Sequence, residues 1–438
     1  LGRTGWRAPG LAVRHPAGKR RRTLSVGSLT GRTTLLPRSA RHGERCGPAW
    51  RRHAAARVHG FDGFTWAHVA IRRQALLCQR RGESSRGPRR TRPHIPTTTA
   101  SDWNQMKALT FKRYGKAPGI GFSELARPTL QPDELLVEVH AAGVNPIDNM
   151  IPTGIFKPVM TFELPATLGS DVAGIVIEVG SRVTRFKPGD AIFASVFDLG
   201  RGTIAEYVAV PESAATLKPA NLEFVQAASL PMVALTSWQA LKERAGLQPG
   251  QKVFIPAGSG GIGTIAIQLA KQFGATVGTT TSTGNVALVN SLGADEVVDY
   301  RQQDFETVLR GYDIALGTMR GDTIEKSLAI LKPGGRIVSL VGPLDAAFAR
   351  ARRLNVVLQF VFAMMSRKII RLANKHNVAY GFLFVRPDGA QLAKIGELLE
   401  AERIRPVIDK VFGFDQAKQA LEYLAQGRAK GKVVVKIR

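Results

Sequence analysis

The stretch Val253–Val277, VFIPAGSGGIGTIAIQLAKQFGATV, decides the fold. Val253-Phe254-Ile255 is a short apolar run suited to a buried parallel strand. Gly258, Gly260, Gly261 and Gly263 supply backbone that turns tightly and lets a phosphate come close. From Ile262 the residues Ile262, Ile265, Ala266, Leu269 and Phe273 recur at helical spacing. A helix that opens on glycines offers free N–H groups and the positive end of its dipole, which suits a pyrophosphate. A glycine cluster alone is also compatible with a plain tight turn. The next strand, Ala275-Thr276-Val277, arrives at the length of one βαβ unit and favours dinucleotide binding.

Working outward, the 438 residues are enough for two or three domains. The net charge of +27 is unevenly placed: residues 1–105 carry +18 and the remainder +9. Both cysteines, Cys46 and Cys78, lie before residue 106. The rest of the chain therefore excludes a disulfide framework and a zinc–cysteine site. No run of eighteen apolar residues suggests a transmembrane helix. The longest apolar stretch, Val356 to Met365, is too short to span and contains Gln359.

Residues 1–105 are rich in Arg, Gly, Pro and Ser, lack methionine and show no sustained periodicity. Three readings compete: an upstream stretch translated from GC-rich sequence, which is preferred, an organelle-targeting segment, or a basic arm for nucleic acid. Such a segment is expected to be disordered, since it buries too little to offset its ordering entropy.

Met106 opens a strand, and residues 106–226 read as many short strands in a small barrel-like domain. Val225 to Leu241 reads as helical. Residues 250–342 alternate strand and helix, including a helix over Thr323–Leu331 and a strand over Arg336–Val341, the pattern of a doubly wound, mostly parallel sheet. Leu354 to Leu372 reads as a helix for core and oligomer contact, with a membrane-surface helix as the minor reading. A β/α segment from His376 ends in the strand Lys432–Val435.

An NAD site wants Asp or Glu at the end of the second strand of the dinucleotide unit. Gly278-Thr279-Thr280-Thr281-Ser282-Thr283-Gly284-Asn285 has hydroxyls and no carboxylate there, which favours NADP.

Seven motifs then carry a family resemblance: AAGVNPIDNMIPTG from Ala141, LGSDVAGIVIEVGSRVTRFKPGD from Leu168, ASLPMVALTSWQAL from Ala228, AGSGGIGTIAIQLAK from Ala257, SLGADEVVDYR from Ser291, LKPGGRIVSLVGP from Leu331 and GRAKGKVVV from Gly427. Residues 106–438 resemble the medium-chain dehydrogenase/reductase superfamily, in its zinc-independent quinone oxidoreductase and enone (alkenal) reductase branch. The resemblance implies an α/β protein with a GroES-like, β-rich catalytic domain and a Rossmann doubly wound parallel sheet. It places the catalytic domain at 106–226, the NADP-binding domain at 227–373 and the return to the catalytic domain at 374–438.

The resemblance also implies roles. Asn145, the candidate catalytic residue, and Thr236 stand near the nicotinamide. Gly258, Gly260, Gly261, Ile262 and Gly263 meet the pyrophosphate. Ser282, Thr283, Asn285 and Tyr300 approach the adenosine phosphate, to which Arg428 adds a cation. Val341, Gly342, Phe382 and Phe384 flank the nicotinamide ring, and Met150 and Phe156 line the substrate pocket. Zinc members carry Cys at the place of Asn145 and His at that of Ser170, so no metal is expected. The branch often has Lys at the place of Asn285, Tyr at those of Met150 and Phe156, Asp at Gly317 and Gly at Arg320. The expectation is an NADPH-dependent reductase of quinones or enones, a cytoplasmic homodimer with neither a membrane nor a nucleic-acid partner. The alternative is a non-catalytic or nucleic-acid-binding protein that retains the fold.

Overall fold

Short apolar strands broken by Gly and Pro build the first half of the fold, and strand–helix alternation builds the second. The structure, a computed structural model, describes residues 104–438. The basic stretch read as a leader lies outside them, apart from Asn104 and Gln105.

The first half holds β1 (Gln105–Phe111), β2 (Gly121–Ala126), β3 (Glu134–Val144), α1 (Pro146–Met150) and β4 (Ala166–Thr167). It continues with β5 (Asp171–Val179), β6 (Ala191–Ser195), β7 (Tyr207–Pro211) and β8 (Ala215–Leu217). Two helices, α2 (Phe224–Ala228) and α3 (Pro231–Trp238), lead into β9 (Lys252–Ile255) and α4 (Gly261–Gln272). Then come β10 (Thr276–Thr281), α5 (Val286–Ser291), β11 (Glu296–Asp299), α6 (Phe305–Val308) and β12 (Tyr312–Gly317). After α7 (Thr323–Ser327) and β13 (Leu331–Ser339), α8 (Ala346–Ala351) and α9 (Val356–Lys375) form a helical pair. The chain closes with β14 (Ala379–Phe382), α10 (Gly389–Glu400), β15 (Ile408–Gly413), α11 (Ala417–Ala425) and β16 (Lys432–Lys436).

Six strands make one sheet in the order β11-β10-β9-β12-β13-β14. Every pairing in it is parallel, as a doubly wound sheet requires. The β-rich half forms a small sheet, β2-β1-β4, and a larger one, β15-β16-β3-β5-β6-β8, with β7 also paired to β3. The main core joins the two halves. Ile265, Ala266, Leu269 and Val253 share it with Leu235 on α3 and Val434 on β16.

Four local readings differ from the structure. The helical run read over Val225–Leu241 breaks before Pro231, which starts a new helix where its missing N–H costs nothing. It then widens to a π-helical turn over Gln239–Arg244. The helix read over Thr323–Leu331 ends at Ser327, and Leu331 already lies in β13, paired with Tyr312. That strand ends at Ser339, so Val341 lies beyond it. The sheet of the dinucleotide half extends past residue 373, because β14 pairs with β13 over Ala379–Phe382. The return to the first half begins with β15, whose partner β16 pairs with β3.

Candidate active site

The glycine loop sits between the end of β9 and the start of α4. A Cβ at Gly263 would lie 2.4 Å from the Ala257 carbonyl oxygen, and one at Gly258 2.2 Å from Thr279 Oγ1. Only glycine lets strand and helix approach this closely. The first intrahelical bond runs from the Thr264 N–H to the Gly260 carbonyl, at 3.0 Å. The N–H groups of Ile262 and Gly263 precede it and remain for an anion. This cradle fits the pyrophosphate of a dinucleotide.

At the end of β10, Ser259, Thr281, Ser282 and Asn285 form one cluster. Asn285 Nδ2 donates to Ser259 Oγ at 3.2 Å and to Ser282 Oγ at 3.1 Å, and Thr281 Oγ1 lies 3.0 Å from Ser259 Oγ. Thr283 is committed elsewhere, because its hydroxyl donates to Asp299 Oδ2 at 2.5 Å. That bond, with the N–H of Arg301 and the amide of Gln302, holds the Asp299 carboxyl below its ordinary range. Asp299 and Ser259 were not singled out from sequence. Asp299 ends the third strand of the unit, one strand beyond the position usually inspected. Tyr300 follows it and is 59% exposed. Arg428 is exposed and has no ion-pair partner among the described residues.

The β-rich side of the cleft centres on a buried polar network. Asn145, Asp148, Ser170, Asp171 and Lys432 are all buried. Asn145 caps α1: its N–H donates to Asp148 Oδ2 at 2.7 Å. The Asn145 amide is fixed at both ends. Nδ2 donates to Asp171 Oδ2 at 2.9 Å, and Oδ1 accepts from Lys432 Nζ at 2.6 Å. Lys432 also donates to the Val144 carbonyl at 3.1 Å and lies 3.4 Å from Asp171 Oδ2. The Met232 N–H donates to Asp171 Oδ1 at 2.8 Å. Ser170 Oγ donates to Asp148 Oδ1 at 2.6 Å. One hydrogen on Asn145 Nδ2 is left for a further acceptor.

The same network touches the glycine loop. The Gly431 N–H donates to the Ser259 carbonyl at 2.8 Å, and a Cβ at Gly261 would lie 3.1 Å from Lys432 Cδ. Sequence reasoning missed Lys432 and Asp171. The available signal was a charged residue at the mouth of each of two apolar strands.

Burial pushes Asp148 up from its ordinary 3.8 to about 7, against the opposing bonds from Ser170 and Asn145. Burial also raises Asp171, opposed by Lys432. The folded protein therefore keeps a proton on Asp148 where the unfolded chain has released it. Stability contributed by this group is lost as pH rises from about 3.8 to about 7 and is level beyond. Asp148→Asn, an isostere that still accepts from the Asn145 N–H and lets the Ser170 hydroxyl accept where it had donated, is expected to flatten that slope. Urea unfolding across pH 4 to 8 measures it, and an unchanged slope counts against the assignment.

Other candidate residues assemble beside this network. Phe384 packs on Phe197 at 5.0 Å between ring centroids and on Phe156 at 6.5 Å. Phe382 is buried against Phe348. Arg320 Nη2 lies 3.2 Å from Met150 Sδ, so it reaches from the parallel sheet to the β-rich half. A Cβ at Gly317 would lie 3.0 Å from Ser339 Cα and 3.2 Å from Ile324, so a side chain there would displace Ile324. Thr236 is buried on α3. Val341 and Gly342 follow β13, and the Gly342 carbonyl accepts from Ser339 Oγ at 2.8 Å. His140 stacks on Phe224 at 4.2 Å, a packing role.

Comparison with known proteins agrees with this arrangement. An alcohol dehydrogenase GroES-like domain profile matches residues 131–220, and a zinc-binding dehydrogenase profile matches residues 292–435. NAD(P)H oxidoreductase RTN4IP1, mitochondrial, from Danio rerio is 35% identical, covering 76% of this chain and 91% of that relative. The chain belongs to the medium-chain dehydrogenase/reductase superfamily, in its quinone oxidoreductase and alkenal reductase branch. As a member of that branch of the superfamily it is an NAD(P)H-dependent oxidoreductase. NADPH-dependent alkenal/one oxidoreductase, chloroplastic, from Arabidopsis thaliana is 33% identical, covering 77% of this chain and 81% of that relative. The solved quinone oxidoreductase from Coxiella burnetii is 32% identical with a TM-score of 0.66, covering 76% of this chain and all of that one.

The zinc in one profile's description does not fit these residues. The two positions expected to ligate it are an amide and a hydroxyl, and the Lys432 ammonium is bonded to that amide. Among the described residues no group of three His, Cys, Asp or Glu could hold a metal ion.

Proposed function

We propose that this protein reduces quinones or α,β-unsaturated carbonyls with NADPH. The observation that supports it is the neutral, fixed amide of Asn145, held between Lys432 and Asp171 with one N–H to spare. NADPH supplies the hydride. Alcohol oxidation needs a group to take the hydroxyl proton as hydride leaves, commonly a metal or a tuned base. Reduction of an enone or quinone asks less, because the acceptor is already electrophilic and the charge that develops settles on oxygen. A donor already aimed at that oxygen lowers the barrier without reorganising. Asn145 supplies such a donor, and the electropositive Lys432 behind it strengthens the N–H. The proton that completes the reduction comes from water or a weak donor.

Measuring NADPH oxidation with a panel of quinones, enones and simple alcohols tests the reading. Quinones or enones are expected to turn over and alcohols hardly at all. Faster oxidation of an ethanol-like alcohol than reduction of any enone or quinone would refute it.

For the cofactor, the hydroxyls of Ser259, Thr281 and Ser282 support NADPH over NADH. The margin is expected to be modest, because Asn285 brings no charge and Asp299 stands nearby. Asn285→Lys is expected to widen it by roughly 1 kcal/mol, the order for a partly exposed charge beside a phosphate. Titration of both cofactors measures it, and equal or tighter NADH binding by the parent counts against NADP.

The mitochondrial and chloroplastic relatives support the targeting reading of residues 1–105 over a cytoplasmic protein. A homodimer remains the proposed assembly.

A further inference from the structure

Among the described residues, helix α9 leaves one face without a partner. Val356, Val357, Phe360, Val361, Met364 and Met365 are exposed, Val356 by 79% and Phe360 by 67%. The buried residues of the same helix are Phe362, Ser366, Ile369 and Ala373. At about 100° per residue these point opposite to the exposed apolar set. Arg367, Lys368, Arg371 and Lys375 continue the exposed face toward the C-terminus. The face is thus apolar in its first half and cationic in its second.

The cations lack acidic neighbours in sequence. From Ala346 to Lys375 there are seven Lys and Arg and no Asp or Glu. Arg352 pairs with Asp198, and Lys368 with Glu325 at 3.1 Å. Arg350, Arg353, Arg367, Arg371 and Lys375 have no acidic partner among the described residues. Two copies meeting through this face would not satisfy it. Antiparallel helices meeting at their apolar halves would leave the cations of both without a partner on the facing helix, and parallel helices would set cation on cation. Neither arrangement brings a carboxylate.

We propose that α9 docks the protein on an anionic lipid surface. The apolar half enters the interface, and the cationic half meets the phosphates. Docking of this kind is peripheral, since no helix among the described residues is long and apolar enough to cross a membrane. Met365, Lys368 and Ile369 also line a cavity of about 220 Å³ with Met319, Val341 and Gly342. A docked protein holds that cavity at the lipid boundary.

Hydrogen–deuterium exchange on the full chain tests the proposal. The probes are vesicles of phosphatidylcholine alone and of phosphatidylcholine with phosphatidylserine. Exchange across residues 356–366 is expected to slow by roughly threefold or more with the anionic vesicles only, as for a helix shielded locally. Added salt should reverse it. The readout is local, so attraction of the basic residues 1–105 to the same vesicles does not imitate it. Phe360→Glu with Met364→Glu, and separately Arg367→Gln with Arg371→Gln and Lys375→Gln, should each abolish the slowing. All five side chains are exposed, so thermal stability and cofactor binding should match the parent. Unchanged exchange in α9 at saturating anionic lipid overturns the proposal. So does slowing that appears without lipid as protein concentration rises, or that survives in both variants.

Discussion

Lys432→Met is expected to destabilise the fold by about 3–5 kcal/mol, the range for removing one partner of a buried ion pair. Lys432 is 4% exposed and Asp171 fully buried. The ammonium bonds Asn145 and the Val144 carbonyl and lies 3.4 Å from the Asp171 carboxylate. Met preserves the stem that packs beside Gly261, so lost packing contributes little. The remaining cost is a carboxylate left in the interior with only the Asn145 amide and the Met232 N–H. The Lys432→Met, Asp171→Asn double variant should recover part of the loss, since it removes the stranded charge. Urea unfolding of the four proteins in the cycle measures this. A single variant within about 1 kcal/mol of the parent would show that the pair contributes little net stability.

Asn145→Ala is expected to lower turnover of enones and quinones by roughly a hundredfold to a thousandfold, the range for one oxyanion donor. NADPH affinity should stay near that of the parent, because the Asn145 amide bonds Asp171 and Lys432 and no group of the glycine cradle. The loss should fall on kcat, since the bond strengthens only as charge reaches the acceptor oxygen. Removing the amide also takes a partner from Lys432 and Asp171, so the variant's unfolding curve must be compared as well. A folded variant that reduces these acceptors at the parental rate would assign Asn145 to the buried network alone.

The glycine loop was legible because its meaning is local. Strand, turn and helix follow within Val253–Gln272, and spacing alone identifies them. The lack of a carboxylate after β10 was legible for the same reason. Asp299 was not, because its closeness to Thr283 comes from the lateral pairing of β10 with β11. Lys432 and Asp171 are 261 positions apart, and nothing near either residue names the other. Asn145 could be named through the family pattern, yet its engagement at both ends depends on β16 lying against β3. The edge strand β14 escaped for another reason. Ala379–Phe382 is four residues long and only half-buried, so it carries no clear period.

That late strand also sets an order of assembly. β16 lies between β15 and β3, inside the larger sheet of the β-rich half. Lys432 leaves the ribosome 288 residues after Val144, the carbonyl that it bonds. Until then β3 offers an open edge over Ala141–Val144, and Asp171 and Asn145 lack their cation. The parallel sheet can form earlier, because its six strands finish at Phe382. Biosynthesis should therefore pass through a chain with a folded dinucleotide half and an unfinished β-rich half, the type of intermediate that exposes strand edges to aggregation or chaperones. Nascent chains arrested before Lys432 should be cut readily by protease in the β-rich half and resist it from β9 to β14.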